Sequence, residues 1–206
     1  MVSNNSCVSN NGLVTREFVS NGKTVVEIVG YNGNESVIKL PRCIDRKRIV
    51  RIAPNAFKDN YKIKQINFGS SFIEEIGESA FEGCLWLDYV SLPTSVKRIG
   101  DSAFKNTGIE YAVLSRNLEE IGNECFMDCA NLETVNFERS CTSIGDRAFK
   151  NCTKLNKLNG FTDYIQRVGY GAFSQPRVHD DPLWDVRWRG QRIRLIVEPQ
   201  NPKIHR

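Results

Sequence analysis

The hydrophobic residues of this chain recur in one pattern, with a period of 22 to 24 residues. An Ile or Val is followed four positions later by Ala or Cys and then by Phe, in the segments 52–57, 76–81, 99–104, 121–126, 144–149 and 168–173. A unit of this length is too short to bury its own apolar face, whereas stacked units bury a continuous core. The pattern therefore predicts a solenoid in which the six Phe side chains share one register.

Between these motifs lies a short alternation of apolar and polar residues, typical of a strand with one buried face. Its apolar members are Ile63-Ile66-Phe68, Leu87-Val90-Leu92, Ile109-Ala112-Leu114, Leu132-Val135-Phe137 and Leu155-Leu158-Phe161. A further, mostly apolar position three residues before each Ile or Val anchor predicts a second short extended piece in every unit. Strands of neighbouring units are expected to pair in parallel, about 4.8 Å apart.

The repeating unit resembles a known family. Residues 84–104, CLWLDYVSLPTSVKRIGDSAF, match the BspA-like leucine-rich repeat nearly position for position, and the likeness extends over about residues 38–173. The resemblance implies a β-rich α/β solenoid: a right-handed leucine-rich-repeat superhelix of about six coils with a concave parallel sheet, capped at both ends. It also implies a protein that binds macromolecules, often at a cell surface, and it carries over no catalytic residue.

Three regions are expected. Residues 1–45 are interpreted as an N-terminal tail and a hairpin cap, since Asn21-Gly22 is a strong two-residue turn signal. Residues 46–176 form the solenoid, and residues 177–206 form a C-terminal cap with two short strands around Arg189-Gly190. The caps are needed because a bare solenoid end exposes core side chains.

The polar members of the main strands predict a binding face. They are Gln65, Asn67, Tyr89, Ser91, Tyr111, Thr134, Asn136 and Lys157, and they are expected to line the concave sheet, the usual ligand surface of a solenoid. Tyr89 and Tyr111 fall in consecutive coils. Two readings stay open for them: an interface hot spot, or an aromatic pair that stiffens the sheet.

Two sets of charges are distinguished by their sign pattern. Pairs such as Glu74-Glu75 and Lys97-Arg98 alternate in sign from coil to coil and are interpreted as a structural ladder. An acidic rim, Asp88, Glu110 and Glu133, repeats one sign in three consecutive coils. Its mutual repulsion favours a basic partner, and the alternative is a solvated charged edge.

The chemistry-bearing residues do not indicate an enzyme. All residues from 1 to 178 lack His, and the run His179-Asp180-Asp181 is interpreted as a solvated loop. Cys84, Cys129 and Cys152 follow the Phe anchors by three residues and predict a stacked ladder that satisfies turn backbone groups. The cysteines are interpreted as buried reduced thiols; no Cys-x-x-Cys pair occurs, so no catalytic residue, metal site or cofactor is predicted.

Composition and net charge limit the classes of partner that are expected. Hydrophobic residues make up 40%, charged residues 25%, and the net charge is +4, so a soluble monomer without nucleic acid is expected, despite Arg187, Arg189, Arg192 and Arg194 near the end. No apolar run is long enough to span a membrane. The sequence favours a non-catalytic module that binds a protein or glycan, with a structural, self-assembling segment as the alternative.

The compartment stays open. The first residues lack the basic and apolar regions of a secretory signal, and the seven cysteines cannot all pair with one another. These features favour a cytoplasmic protein as written, and a cell-surface or secreted one if the chain has been trimmed.

Overall fold

A computed structural model describes residues 11–137, 141–160 and 165–174, together with the backbone of two later strands. Several expectations concern residues outside these ranges: the N-terminal tail, the His179-Asp180-Asp181 run and the side chains of the C-terminal cap. The two later strands, Asp185–Trp188 and Gln191–Arg194, pair antiparallel. This confirms the hairpin predicted around Arg189-Gly190.

The N-terminal end is built from antiparallel pairs. Strands β1 (Leu13–Ser20) and β2 (Lys23–Tyr31) form the predicted hairpin, and the turn residues Asn21 and Gly22 both have positive φ, as a type I′ turn requires. After β3 (Val37–Lys39), a second hairpin joins β4 (Cys43–Ile44) to β5 (Lys47–Ile52). The sequence analysis did not predict this second hairpin.

Two parallel sheets run along the solenoid. The larger sheet continues from β2 and β5 through β7 (Glu75–Ile76), β9 (Arg98–Ile99), β11 (Glu120–Ile121), β13 (Ser143–Ile144) and β15 (Arg167–Val168). The six-stranded sheet is β3, β6 (Gln65–Asn67), β8 (Tyr89–Ser91), β10 (Tyr111–Val113), β12 (Thr134–Asn136) and β14 (Lys157–Asn159). Both extended pieces predicted for each unit are confirmed. The right-handed sense and the concavity of the six-stranded sheet stay predictions.

The expectation of an α/β fold is wrong for the described part of the chain, which contains no helix. The stretch around each Ala-Phe pair instead forms turns in which residues such as Asn55 and Asp59 have positive φ, a conformation that no right-handed helix allows. Its amides also donate to the next coil: Asn55 N to Glu78 O at 2.9 Å and Phe57 N to Ala80 O at 2.8 Å. Hydrogen bonds between coils therefore replace those of a helix.

The core is a column of stacked Phe rings, as the register of the repeat predicts. Successive ring centroids are 5.0 to 5.2 Å apart, and the planes differ by no more than 10°, in the order Phe57, Phe81, Phe104, Phe126, Phe149 and Phe173. Near-parallel rings at this separation are offset stacks. The coil spacing set by the parallel strands thus also sets the spacing of the rings.

A buried carboxylate joins the N-terminal hairpin to the first coil. The side chain of Glu27 on β2 is 1% exposed and accepts hydrogen bonds from Arg16 Nε at 2.6 Å and Arg51 Nε at 2.8 Å. Burial by itself raises the pKa of Glu27, but the hydrogen bonds and charges of Arg51 and Arg16 outweigh it and hold that pKa below its ordinary value. The ionised form of Glu27 therefore stabilises the folded chain.

Glu27→Gln is expected to lower the free energy of unfolding at pH 7 by about 1.5 to 3 kcal/mol, the range for hydrogen bonds to charged groups. Because the pKa of Glu27 is lower in the folded chain, its contribution is complete above the unfolded pKa and disappears as pH falls through the folded one. Urea unfolding at pH 7 and at pH 3 measures the free energy of unfolding of both proteins. The difference between Glu27→Gln and the wild type should be smaller at pH 3. The exposed Glu119, changed to Gln, is the control, and an equal gap at both pH values would contradict the prediction.

Candidate binding surface

The six-stranded sheet presents one row of side chains at the predicted binding positions. Its backbone register aligns Val37, Gln65, Tyr89, Tyr111, Thr134 and Lys157 from one coil to the next. Tyr89 lies directly opposite Tyr111 in the neighbouring strand, which confirms that the two residues are neighbours. Tyr111 is 44% exposed and Tyr89 is half-buried. An aromatic surface is therefore open to a partner at the middle of the sheet.

Thr134 is not part of the accessible surface, so this assignment is wrong. The residue is only 4% exposed, because it is a small side chain flanked in the paired strands by the longer Tyr111 and Lys157. The second predicted row contains Asn67, which is exposed, and Ser91 and Asn136, which are half-buried. Exposed residues therefore lie at both ends of the sheet, including Asn67 and Lys157, and Tyr111 is the exposed residue at its middle.

The acidic rim is a true stack. The amide of Glu110 donates to Asp88 O at 2.9 Å, and the amide of Glu133 donates to Glu110 O at 2.9 Å, so the three residues follow one another coil on coil. Asp88 and Glu110 are exposed and Glu133 is half-buried. Within the described residues, none of the three carboxylates takes part in an ion pair.

The charges of the larger sheet are arranged in the opposite way. Its strands align Arg51, Glu75, Arg98 and Glu120 in successive coils, and Arg98 lies 3.6 Å from Glu75. In the adjacent position, Lys97 Nζ is 3.4 Å from Glu74 Oε2. These contacts agree with the structural interpretation of that ladder. The larger sheet therefore pairs charges of opposite sign between its first coils, whereas the three acids of the rim form no ion pair among the described residues.

An exposed apolar patch beside the rim was missed by the sequence analysis. It consists of Tyr61, Leu85 and Trp86, which are 57%, 47% and 61% exposed. The third coil is one residue shorter than its neighbours here, and Gly108 packs on the Leu85 carbonyl, where a Cβ would come within 2.3 Å. The anchors Ile99 and Ile121 are 22 residues apart, one fewer than in the flanking units. The missing residue is the one that would stack on Trp86.

The cysteine ladder behaves as the sequence predicts. Cys84 Sγ donates to Phe57 O at 3.0 Å, and Cys129 Sγ and Cys152 Sγ make the equivalent bonds to Phe104 O at 3.0 Å and Phe126 O at 3.1 Å. Burial raises the pKa of Cys84 to about 12 and that of Cys129 to about 11. These thiols are protonated at neutral pH and are poor nucleophiles.

Cys43 departs from that interpretation, because it is disulfide-bonded. The five free cysteines among the described residues, Cys84, Cys125, Cys129, Cys141 and Cys152, are all buried. The positions of the cysteines explain why Cys43 differs from these five. The ladder thiols are inside the stack of coils and donate to carbonyl groups, whereas Cys43 lies on β4 of the second hairpin and is half-buried. The sequence offered no signal for this beyond the position of Cys43 outside the repeat register.

Neither a metal site nor a membrane helix emerges from the described ranges. No group of three or more His, Cys, Asp or Glu side chains comes together within them. The same part of the chain contains no helix of the length and apolar character that crossing a bilayer requires.

One solved leucine-rich repeat structure is similar to this architecture over most of both chains. A leucine-rich repeat protein of T. pallidum is 23% identical and superposes with a TM-score of 0.62, covering 79% of this chain and 88% of that one. The pneumococcal vaccine antigen PcpA is 18% identical, with a TM-score of 0.49 over 80% of this chain and 38% of the antigen. A leucine-rich cell surface protein of Faecalibacterium prausnitzii is 18% identical, with a TM-score of 0.45 over 75% and 54% of the two chains.

No curated protein matches the chain. Residues 50–178, however, match the BspA type leucine-rich repeat region in six copies. These limits agree with the six stacked coils and include the whole column of Phe rings. The chain therefore belongs to the BspA-type leucine-rich repeat family.

Proposed function

We propose that this chain is a non-catalytic binding module that engages a protein partner through the six-stranded sheet. The observation that carries the proposal is the pair Tyr89 and Tyr111, opposite each other in adjacent strands, with Tyr111 open to solvent. Tyr provides a large contact area and a hydroxyl group at a low entropy cost, and it is enriched in interface hot spots. The exposed Leu85 and Trp86 extend the apolar area on the same coil as Tyr89.

The expected partner carries basic side chains. Asp88 and Glu110 immediately precede the two tyrosines in sequence, and neither takes part in an ion pair within the described residues. A cationic partner would relieve their repulsion and would associate faster at low ionic strength. An aromatic centre beside uncompensated acids therefore favours a basic protein surface over a neutral glycan.

An oxidising environment suits this role. The disulfide at Cys43 fits an extracellular or periplasmic setting, since reducing compartments keep thiols unpaired. The buried free thiols do not conflict with that setting, because their raised pKa and burial make them unreactive. Adhesion at a cell surface is the biological form of this proposal.

Tyr89→Ala/Tyr111→Ala is expected to weaken partner binding about thirtyfold, which corresponds to a hot-spot loss of about 2 kcal/mol. The partner is first captured from extracellular material with the wild-type chain, then purified and titrated by calorimetry against each variant. Tyr111→Ala alone is included because Tyr89 is half-buried and its truncation also removes packing. Urea unfolding confirms that the variants are folded.

The control is Tyr170→Ala, which truncates a more accessible Tyr, 57% exposed, in the turn of the last coil. It should bind as the wild type does. Equal weakening by the sheet variant and the control would contradict the assignment to the sheet. If no partner is captured and sedimentation shows self-association, the structural, self-assembling alternative is favoured instead.

A further inference from the structure

The hairpin of β4 and β5 concentrates positive charge at the N-terminal end of the solenoid. Residues 39–51 contain six basic residues and one acid, Asp45. Two of the six are used inside the fold, because Lys47 pairs with Glu17 at 2.5 Å and Arg51 pairs with the buried Glu27. The other four are exposed: Arg42, Arg46 and Arg48 in or directly beside the hairpin, and Lys39 on the preceding strand β3. We call these four residues the basic hairpin cluster.

Two members of the cluster converge on one aromatic ring. The guanidinium carbons of Arg42 and Arg48 lie 4.8 Å and 4.3 Å from the centroid of Phe72. The two charges are therefore within about 10 Å of each other, one Debye length at 0.1 M salt. Phe72 is half-buried, and a cation–π contact near the surface is worth only about 0.5 to 1 kcal/mol. The ring holds both guanidinium groups in place while their charges repel.

The acids around the cluster do not neutralise it. Within the described residues, none of its four members takes part in an ion pair. Glu17 is engaged by Lys47, and Glu74, whose amide bonds to Val50 O, is engaged by Lys97. Asp45 is in the two-residue turn beside Arg46. The cluster thus keeps a net charge of about +3 that the fold leaves uncompensated, by ordinary side-chain charges at pH 7.

The hairpin is also held rigidly, as a binding site requires. Asp45 and Arg46 both have positive φ, the signature of a tight type I′ turn. Cys43, paired with Arg48 across the hairpin, is disulfide-bonded. These features constrain the backbone that carries Arg42 and Arg48, so less of the hairpin has to be ordered when a ligand binds.

We propose that the basic hairpin cluster binds a sulfated polysaccharide. Guanidinium groups donate paired hydrogen bonds to planar or tetrahedral oxyanions and are weakly hydrated. Sulfates repeated along a polymer engage several of the four charges at once, which multiplies weak single contacts. Nucleic acid fits less well, because Phe72 is covered by the arginines and cannot stack a base. Lys39 lies on β3 at the edge of the six-stranded sheet, paired with Asn67, whereas the three arginines of the cluster lie outside that sheet and away from the Tyr89–Tyr111 pair.

The test titrates the oxidised chain of 206 residues with a size-defined heparin fragment in 0.15 M salt and at several higher salt concentrations. Arg42→Gln/Arg48→Gln is expected to bind at least tenfold more weakly, and the slope of log affinity against log salt should fall by about 2. Arg42→Lys/Arg48→Lys keeps the charge and removes the planar guanidinium group, so its heparin affinity should lie between that of the wild type and that of the Gln variant. Neutral dextran should not bind to any of them.

The control for charge alone is Arg116→Gln/Arg167→Gln, which removes two exposed arginines that form no ion pair among the described residues. It should bind heparin within about twofold of the wild type. Equal weakening by both Gln pairs would overturn the assignment to the hairpin. Absence of heparin binding by the wild type would overturn the proposal. It would also be overturned if the wild type bound single-stranded DNA as tightly as heparin and Arg42→Gln/Arg48→Gln lost both to the same extent. Tyr89→Ala/Tyr111→Ala should leave heparin binding unchanged.

Discussion

Phe104→Ala is expected to lower the free energy of unfolding by about 3 to 5 kcal/mol, the range for truncating a buried Phe. The Phe104 side chain is fully buried in the middle of the ring column. Its centroid is 5.1 Å from that of Phe81 and 5.2 Å from that of Phe126. The substitution therefore removes two stacking contacts and leaves a cavity between two coils. The inter-coil hydrogen bonds on both sides limit how far that cavity can collapse.

Phe104→Leu separates lost volume from lost stacking. Leu fills most of the space, so we expect a loss of about 1.5 kcal/mol, the upper end for exchanging one large apolar residue for another. Urea unfolding followed by circular dichroism measures all three proteins, and an unchanged m-value supports comparison of their free energies. A loss below about 1 kcal/mol for Phe104→Ala would show that the column collapses freely and is not the main support of the core.

Gly122→Ala is expected to lower the free energy of unfolding by about 3 kcal/mol, at the upper end of overpacking costs. A Cβ at Gly122 would lie 2.5 Å from Asp101 N and 2.5 Å from Gly100 C, both backbone atoms of the preceding coil. Gly122 N also donates to Ile99 O at 2.8 Å. The coils cannot separate at this point without stretching that bond, so the added methyl group has no easy accommodation.

Gly30→Ala is the matched control, because its added Cβ would meet only ordinary contacts, the nearest being Val14 Cβ at 3.7 Å. We expect a change within about 0.5 kcal/mol of the wild type. Thermal unfolding of both variants and the wild type makes the comparison. If Gly122→Ala proves as mild as Gly30→Ala, then the close approach of the coils does not explain the recurring Gly of the repeat.

The same reasoning applies to the Ile-Gly step of the other coils. An added Cβ at Gly100 or Gly145 would come within 2.7 Å and 2.5 Å of a backbone amide nitrogen in the preceding coil. The first coil has Ala53 at this place, and its neighbour on that side is β2 of the hairpin, whose Ile28 O accepts from Ala53 N. The repeat therefore requires Gly where one coil stacks on another of the same shape.

The candidate site shows how far sequence reasoning reaches. The period and the alternation placed Tyr89 opposite Tyr111 and stacked Asp88, Glu110 and Glu133, because parallel coils of nearly equal length bring equivalent positions together. They gave the wrong result for Thr134, whose burial depends on the longer side chains beside it. Exposure is a property of neighbours in space, and only the sheet register identifies them.

By itself, the sequence determined the solenoid, the two strands of each coil, the Phe column and the thiol ladder, since one period governs all four. The tertiary structure alone decided the absence of helix in the described coils, the exposure of Trp86 and the convergence of Arg42 and Arg48 on Phe72. The physical reason is the same in each case. These features depend on hydrogen bonds and contacts between residues distant in sequence, and the hydrophobic period states only which positions stack, not which backbone conformation or side-chain contact each position adopts.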